Sequence, residues 1–105
     1  MQKTIAVDFD GVIHKYSNHW QGGIIYDHPC DDVQKSLKDL VEDGFRIVIF
    51  TTRTNFCDIA VWLNDNGMQL DTHYHDITNI KPKALAYIDD RAVRFTNWID
   101  VRKMF

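Results

Sequence analysis

Residues 45–50 read FRIVIF, a nearly continuous apolar run interrupted by one arginine. Such a run predicts a strand buried on both faces, as in a parallel sheet. Helical patterns lie on both sides of it. Asp31 or Asp32 is placed to cap a helix running to about Asp43, with Val33, Leu37, Leu40 and Val41 as its apolar stripe and Gly44 as its stop. Asn55 is placed to cap a second, with Phe56, Ile59, Ala60 and Leu63 on one face and Gly67 at its end. Thr4–Phe9 and Ala84–Ile88 are two further strands, Gln69–His73 is a candidate short one, and a last amphipathic helix starts at Asn97 with Trp98, Val101 and Phe105. Residues 14–30 are irregular and read as a loop, with a small hairpin around Gly22-Gly23. This alternation predicts an α/β fold: a Rossmann-like three-layer sandwich on a mainly parallel central sheet.

No linker, repeat or low-complexity tract divides the 105 residues, so one domain over 1–105 is expected. The net charge of −3 argues against a broad nucleic-acid-binding surface. No apolar run approaches membrane-spanning length, and the first residues are too weakly apolar for a signal peptide, so a cytoplasmic protein without membrane partners is expected. Cys30 and Cys57 have neither zinc nor redox spacing and are expected to be reduced and partly buried.

In a parallel sheet with right-handed crossovers, every strand ends on one rim, where ligands bind. The first strand ends in Asp8-Phe9-Asp10, the second in Thr51-Thr52-Arg53 and the third in Asp89-Asp90, while Lys81 precedes the third. Four carboxylates gathered there would repel and raise one another's pKa. Mg²⁺ removes that conflict, because it takes hard oxygen ligands and keeps waters that a substrate phosphate can replace. Thr51 as a hydroxyl donor, Lys81 as a point charge and Arg53 as a fork suit a phosphate, and backbone N–H groups from Phe9 to Gly11 could add an anion nest. Together these groups point to phosphoryl transfer through an aspartyl-phosphate.

The series DFDGV, a strand ending in Thr51, Lys81, then IDDRA resembles the haloacid dehalogenase-like (HAD) superfamily of phosphohydrolases, with its motifs in family order over residues 5–95. The resemblance implies a HAD-like fold. It implies Asp8 as nucleophile and Mg²⁺ ligand, and Asp10 as general acid/base with its backbone carbonyl on the metal. Thr51 and Lys81 would hold the phosphoryl group, and Asp89 and Asp90 would bind Mg²⁺. Lys83 is the alternative to Lys81; the Lys-Pro pair favours Lys81. Asp10 favours phosphate esters over haloacids, because it can protonate a leaving alkoxide. Neither insertion point is long enough for a cap domain, so a capless phosphatase is expected. IDDR also resembles the phosphatase domain of polynucleotide kinase/3′-phosphatases, which implies a nucleotide or nucleic-acid phosphate as substrate.

His14, His19 and Trp20 are expected at the substrate entrance, and no histidine spacing matches a zinc site. Two rivals use similar residues. A non-catalytic phospho-ligand or Mg²⁺-binding module would be expected to have lost Asp8 or Asp10. A two-component receiver domain carries its acidic pair near the first strand, whereas the adjacent pair here comes last.

Overall fold

Strand β1 (Thr4–Asp8) runs between β2 (Arg46–Phe50) and β4 (Ala86–Ile88), parallel to both, in a computed structural model describing residues 2–105. Strand β3 (Asp76–Thr78) adds to the far side of β2, giving a four-stranded all-parallel sheet in the order β3-β2-β1-β4. The register places Ile5 beside Ile47 and Ala86, and Val7 beside Ile49 and Ile88. Side chains alternate across a strand, so Ile5, Val7, Ile47 and Ile49 share one sheet face.

That face carries the core. Helix α1 (Val33–Glu42) adds Val33 and Leu37, and α2 (Phe56–Asp65) adds Ile59 and Leu63, to one cluster with those strand residues, Phe9, Ile13, Met68 and Tyr74. Both helices belong to crossovers that step the same way, β1 to β2 and β2 to β3, so right-handed connections put them on the same face. The connection from β3 to β4 steps back past two strands, so a right-handed crossover would lie over the opposite face, but residues 79–85 contain no helix. There the Tyr87 hydroxyl donates to the Pro82 carbonyl, and Lys81 Nζ sits 4.7 Å from the Tyr87 ring centroid.

The expected α/β fold on a parallel sheet is present and Rossmann-like in character, with no helix in the β3–β4 connection. Helices α1 and α2 both pack on the face of Ile5, Val7, Ile47 and Ile49, while Ala6 and Val48 are buried on the other. Helix α3 (Trp98–Arg102) is capped by Asn97, whose side chain accepts the Asp100 N–H, but it buries no residue, so its apolar positions do not form the expected packed stripe.

Other elements also differ from expectation. Gln69–His73 is a turn rather than a strand. Asp71 takes a φ of 67°, and His73 Nδ1 accepts the Gln69 N–H, so local hydrogen bonds replace a ladder there. Asp32 precedes α1 with a φ of 63° and makes no side-chain cap. Asn55 does not cap α2 either; its amide donates to the Gly23 carbonyl and ties the 14–30 loop to the helix. That loop is closed at its base, by Lys15 N–H to the His28 carbonyl and Cys30 N–H to the Ile13 carbonyl, not by a hairpin at its glycines. Cys30 is half-buried, whereas Cys57 is exposed. No helix among the described residues is long and apolar enough to cross a membrane.

Candidate active site at the carboxyl rim

The strand order reverses between β1 and β4, and this switch point is where ligands bind in open parallel sheets. Asp8 ends β1, and Asp89-Asp90 follow β4 directly. One carboxylate oxygen from each of Asp8, Asp89 and Asp90 lies within 4.8 Å of the other two. None of the three is in an ion pair among the described residues. Burial, aided by the charges of Asp89, Asp90 and Asp10, pushes the Asp8 carboxyl up to about 6, against the lowering effect of the Phe9 N–H. Clustered oxygen donors without a cationic partner are a donor set that could hold a metal ion.

Gly11 makes this clustering possible. Its φ is +86°, and a Cβ there would overlap the Asp90 carboxylate. The residue therefore serves the acids by having no side chain. The expected anion nest is not formed by its N–H, which donates to the His14 carbonyl at 2.7 Å. The Phe9 N–H is likewise engaged, by Asp8 Oδ1 at 2.9 Å.

Asp10 lines the same cavity but is held in a clamp. Arg53 Nε donates to Asp10 Oδ2 at 2.7 Å, and Arg53 Nη2 donates to Oδ1 at 3.0 Å. His14 Nε2 accepts the Asp27 N–H at 3.1 Å, so that nitrogen carries no proton. The other ring nitrogen, Nδ1, must then be the N–H that donates to Asp10 Oδ1 at 2.8 Å. Burial alone would raise the Asp10 carboxyl, but the His14 and Arg53 hydrogen bonds outweigh it and hold it below its usual range.

Two expectations change here. His14 is fully buried rather than at the entrance. Arg53 is only 3% exposed and grips Asp10 and the Gly23 carbonyl, so its fork is not presented to a ligand.

The acids open into a cavity of about 660 Å³ lined by Asp8, Asp10, Gly11, Thr51, Asp89 and Asp90, with Thr52, Lys15, Tyr16, His19 and Arg91 completing it. Thr51 Oγ1 accepts the Arg53 N–H at 3.1 Å, which leaves its hydroxyl hydrogen for a ligand. Lys81 is not part of the lining; its ammonium rests on Tyr87. Lys83 borders a separate hollow with Gln2, Lys3 and Thr4, where β1 starts, away from the rim. The cavity's cations are instead Lys15 and Arg91. Trp20 is exposed beside the clamp, with the Arg53 guanidinium carbon 5.2 Å from its ring centroid.

Sequence reasoning missed Lys15 and Tyr16 as cavity residues. The only signal for them was their position just past the DFDG turn. His73 and His75 serve the backbone, accepting the N–H groups of Gln69 and Ile47 through Nδ1. No family model, curated protein or solved structure matches this chain.

Proposed function

We propose that the rim cavity hydrolyses phosphate monoesters with Mg²⁺, by the two-step route that the resemblance to HAD phosphohydrolases implies. The observation that carries this is the meeting of three uncompensated carboxylates with a separately clamped fourth, Asp10, in one cavity with Thr51. Asp8, Asp89 and Asp90 would hold the cation, which would neutralise charge on the phosphoryl oxygens.

Asp8 is the nucleophile. Its carboxylate oxygen attacks phosphorus, the ester P–O bond breaks, and the leaving oxygen takes a proton from the Asp10 carboxyl, which is thereby ionised for the next step. Water then attacks the aspartyl-phosphate. The bond between phosphorus and Asp8 breaks, and Asp10 takes the water's proton. The lowered pKa keeps Asp10 ionised but makes it a weak base and works against the acid step, so both proton transfers require the clamp to loosen. Thr51, Lys15 and Arg91 line the same cavity and would donate to the phosphoryl oxygens. Lys81 would have to leave the Tyr87 ring to join them.

Its position outside the cavity favours the rival account, in which the cavity binds a phospho-ligand or Mg²⁺ without turnover. Phosphatase assays with Mg²⁺ on aryl phosphate, 5′- and 3′-nucleotides, sugar phosphates and a 3′-phosphorylated oligonucleotide separate the two. Turnover abolished both by EDTA and by Asp8→Asn supports catalysis. Mg²⁺ binding by a folded protein that turns over none of them supports the binding module.

A further inference from the structure

Residues 85–105 make up a fifth of the chain, and none of them is buried, although more than half are apolar against 45% overall. The exposure begins on β4. Ile88 lies beside Val7 on the core face of the sheet, and Tyr87 lies beside Ala6 on the other. Both stay 43% exposed, while Val7 and Ala6 are buried. Strand β4 is also a sheet edge, so its outer row of backbone groups has no ladder partner.

Beyond β4 the chain runs out to α3, which buries no residue. Phe95 and Trp98 meet edge to face at 5.5 Å, yet Trp98 remains 74% exposed, and Phe105 is 83% exposed. The radius of gyration is 14.5 Å, above the value of about 13 Å for a compact chain of this length. The excess fits an arm that leaves the domain.

We propose that β4 and this C-terminal arm dock on the same stretch of a second copy of the chain, giving a two-fold dimer. The area carries the argument. Each aromatic side chain can bury about 150–250 Å², so the large apolar side chains of the stretch leave on the order of 800–1,000 Å² exposed. Monomers rarely expose more than a few hundred Å² of contiguous apolar surface. Each partner in a standard interface contributes about 800 Å².

Charge and geometry favour a second copy over a different partner. Asp89, Asp90 and Asp100 are interleaved with Arg91, Arg94 and Arg102, so the stretch has no single-sign field to select an acidic or basic partner. A two-fold contact sets such a stretch against itself in the opposite direction, where acids can face bases. The same two-fold makes two β4 edges antiparallel, the orientation in which strands pair directly and would join the two sheets. This inference does not depend on the proposed phosphatase activity. Asp89-Asp90 follow β4 directly, so the contact would also steady the segment that carries two of the three clustered acids.

The test is the mass of the full chain in solution, by sedimentation or light scattering, from about 1 to 100 μM. The wild type is expected to reach twice the chain mass of 12.3 kDa. The double variant Phe95→Ser, Trp98→Ser should stay at 12.3 kDa with an unchanged circular dichroism spectrum, because the arm is exposed in its own subunit. Val61→Asp, on an exposed apolar position of α2 outside the arm, should leave the dimer intact. A wild type that is monomeric throughout that range would overturn the proposal. So would a dimer that survives the double variant, a dimer that Val61→Asp dissolves, or assemblies that grow beyond two copies. Unfolding of the double variant would also overturn it, by showing that the arm packs within its own subunit.

Discussion

Arg53 holds Asp10 by both carboxylate oxygens, at 2.7 and 3.0 Å, across a separation of 43 residues. The guanidinium side chain is 1% exposed and the carboxylate 20%, so the pair is largely withdrawn from water. Arg53→Ala strands Asp10 without its cation and should cost about 3–5 kcal/mol. Arg53→Lys keeps the charge but loses the fork, and should cost about 1–3 kcal/mol. Urea unfolding of the two variants measures this order. A lysine variant as stable as the wild type would show that charge alone matters.

His14 connects the clamp to the loop. His14→Phe preserves the aromatic packing with Phe9 and Trp62 but leaves the Asp27 N–H without its acceptor and Asp10 with one donor fewer. A loss of about 1–3 kcal/mol is expected, along with faster amide exchange at Asp27. Nitrogen NMR of the wild type at neutral pH should show the proton on Nδ1, with Nε2 unprotonated.

The acid cluster makes the metal-free fold sensitive to pH. The Asp8 carboxyl lies at about 6 in the fold against an ordinary 3.8, so between those values the folded state binds more protons than the unfolded chain. Stability therefore falls as pH rises through that window and stays lower above it. Asp8 is only half withdrawn from solvent, so a loss of about 1–2 kcal/mol is expected. With EDTA, the melting temperature should drop between pH 4 and pH 7. Mg²⁺ should raise it again at pH 7 and have little effect at pH 4. Asp8→Asn should remove most of the drop.

Gly11→Ala tests the approach of Asp90. The φ of +86° strains any side chain there, by about 1–2 kcal/mol, and the new Cβ must displace the Asp90 carboxylate from the cluster. Mg²⁺ affinity, measured by calorimetry, should fall about tenfold or more, a larger effect than the strain alone produces on folding. Unchanged affinity would mean that Asp90 is not needed by the cation.

The sheet interior and its acidic rim were legible in the sequence because buried strands carry a strong apolar signal and the Asp pairs sit at their ends. Strand β3 was not. Its three residues, Asp76–Thr78, lie at an edge with polar neighbours, while Gln69–His73 mimics a strand yet satisfies its backbone locally. The one-sided helix layer was also hidden, because it depends on β4 pairing with β1 rather than with β3. The Arg53–Asp10–His14 clamp depends on tertiary placement, and no local pattern marks an arginine as a clamp rather than a ligand-binding group. The loop after β1 carried Tyr16 into the cavity through turns that its composition does not specify.

The proposed role of Asp8 is to accept the phosphoryl group. The wild type should be mixed with its best substrate and Mg²⁺, quenched in acid within the first turnover, digested and mapped by mass spectrometry. One phosphoryl group is expected on the peptide containing Asp8, labile to hydroxylamine and absent from Asp8→Asn. Turnover with no trapped phosphoryl group, or with Asp8→Asn retaining full activity, would contradict it.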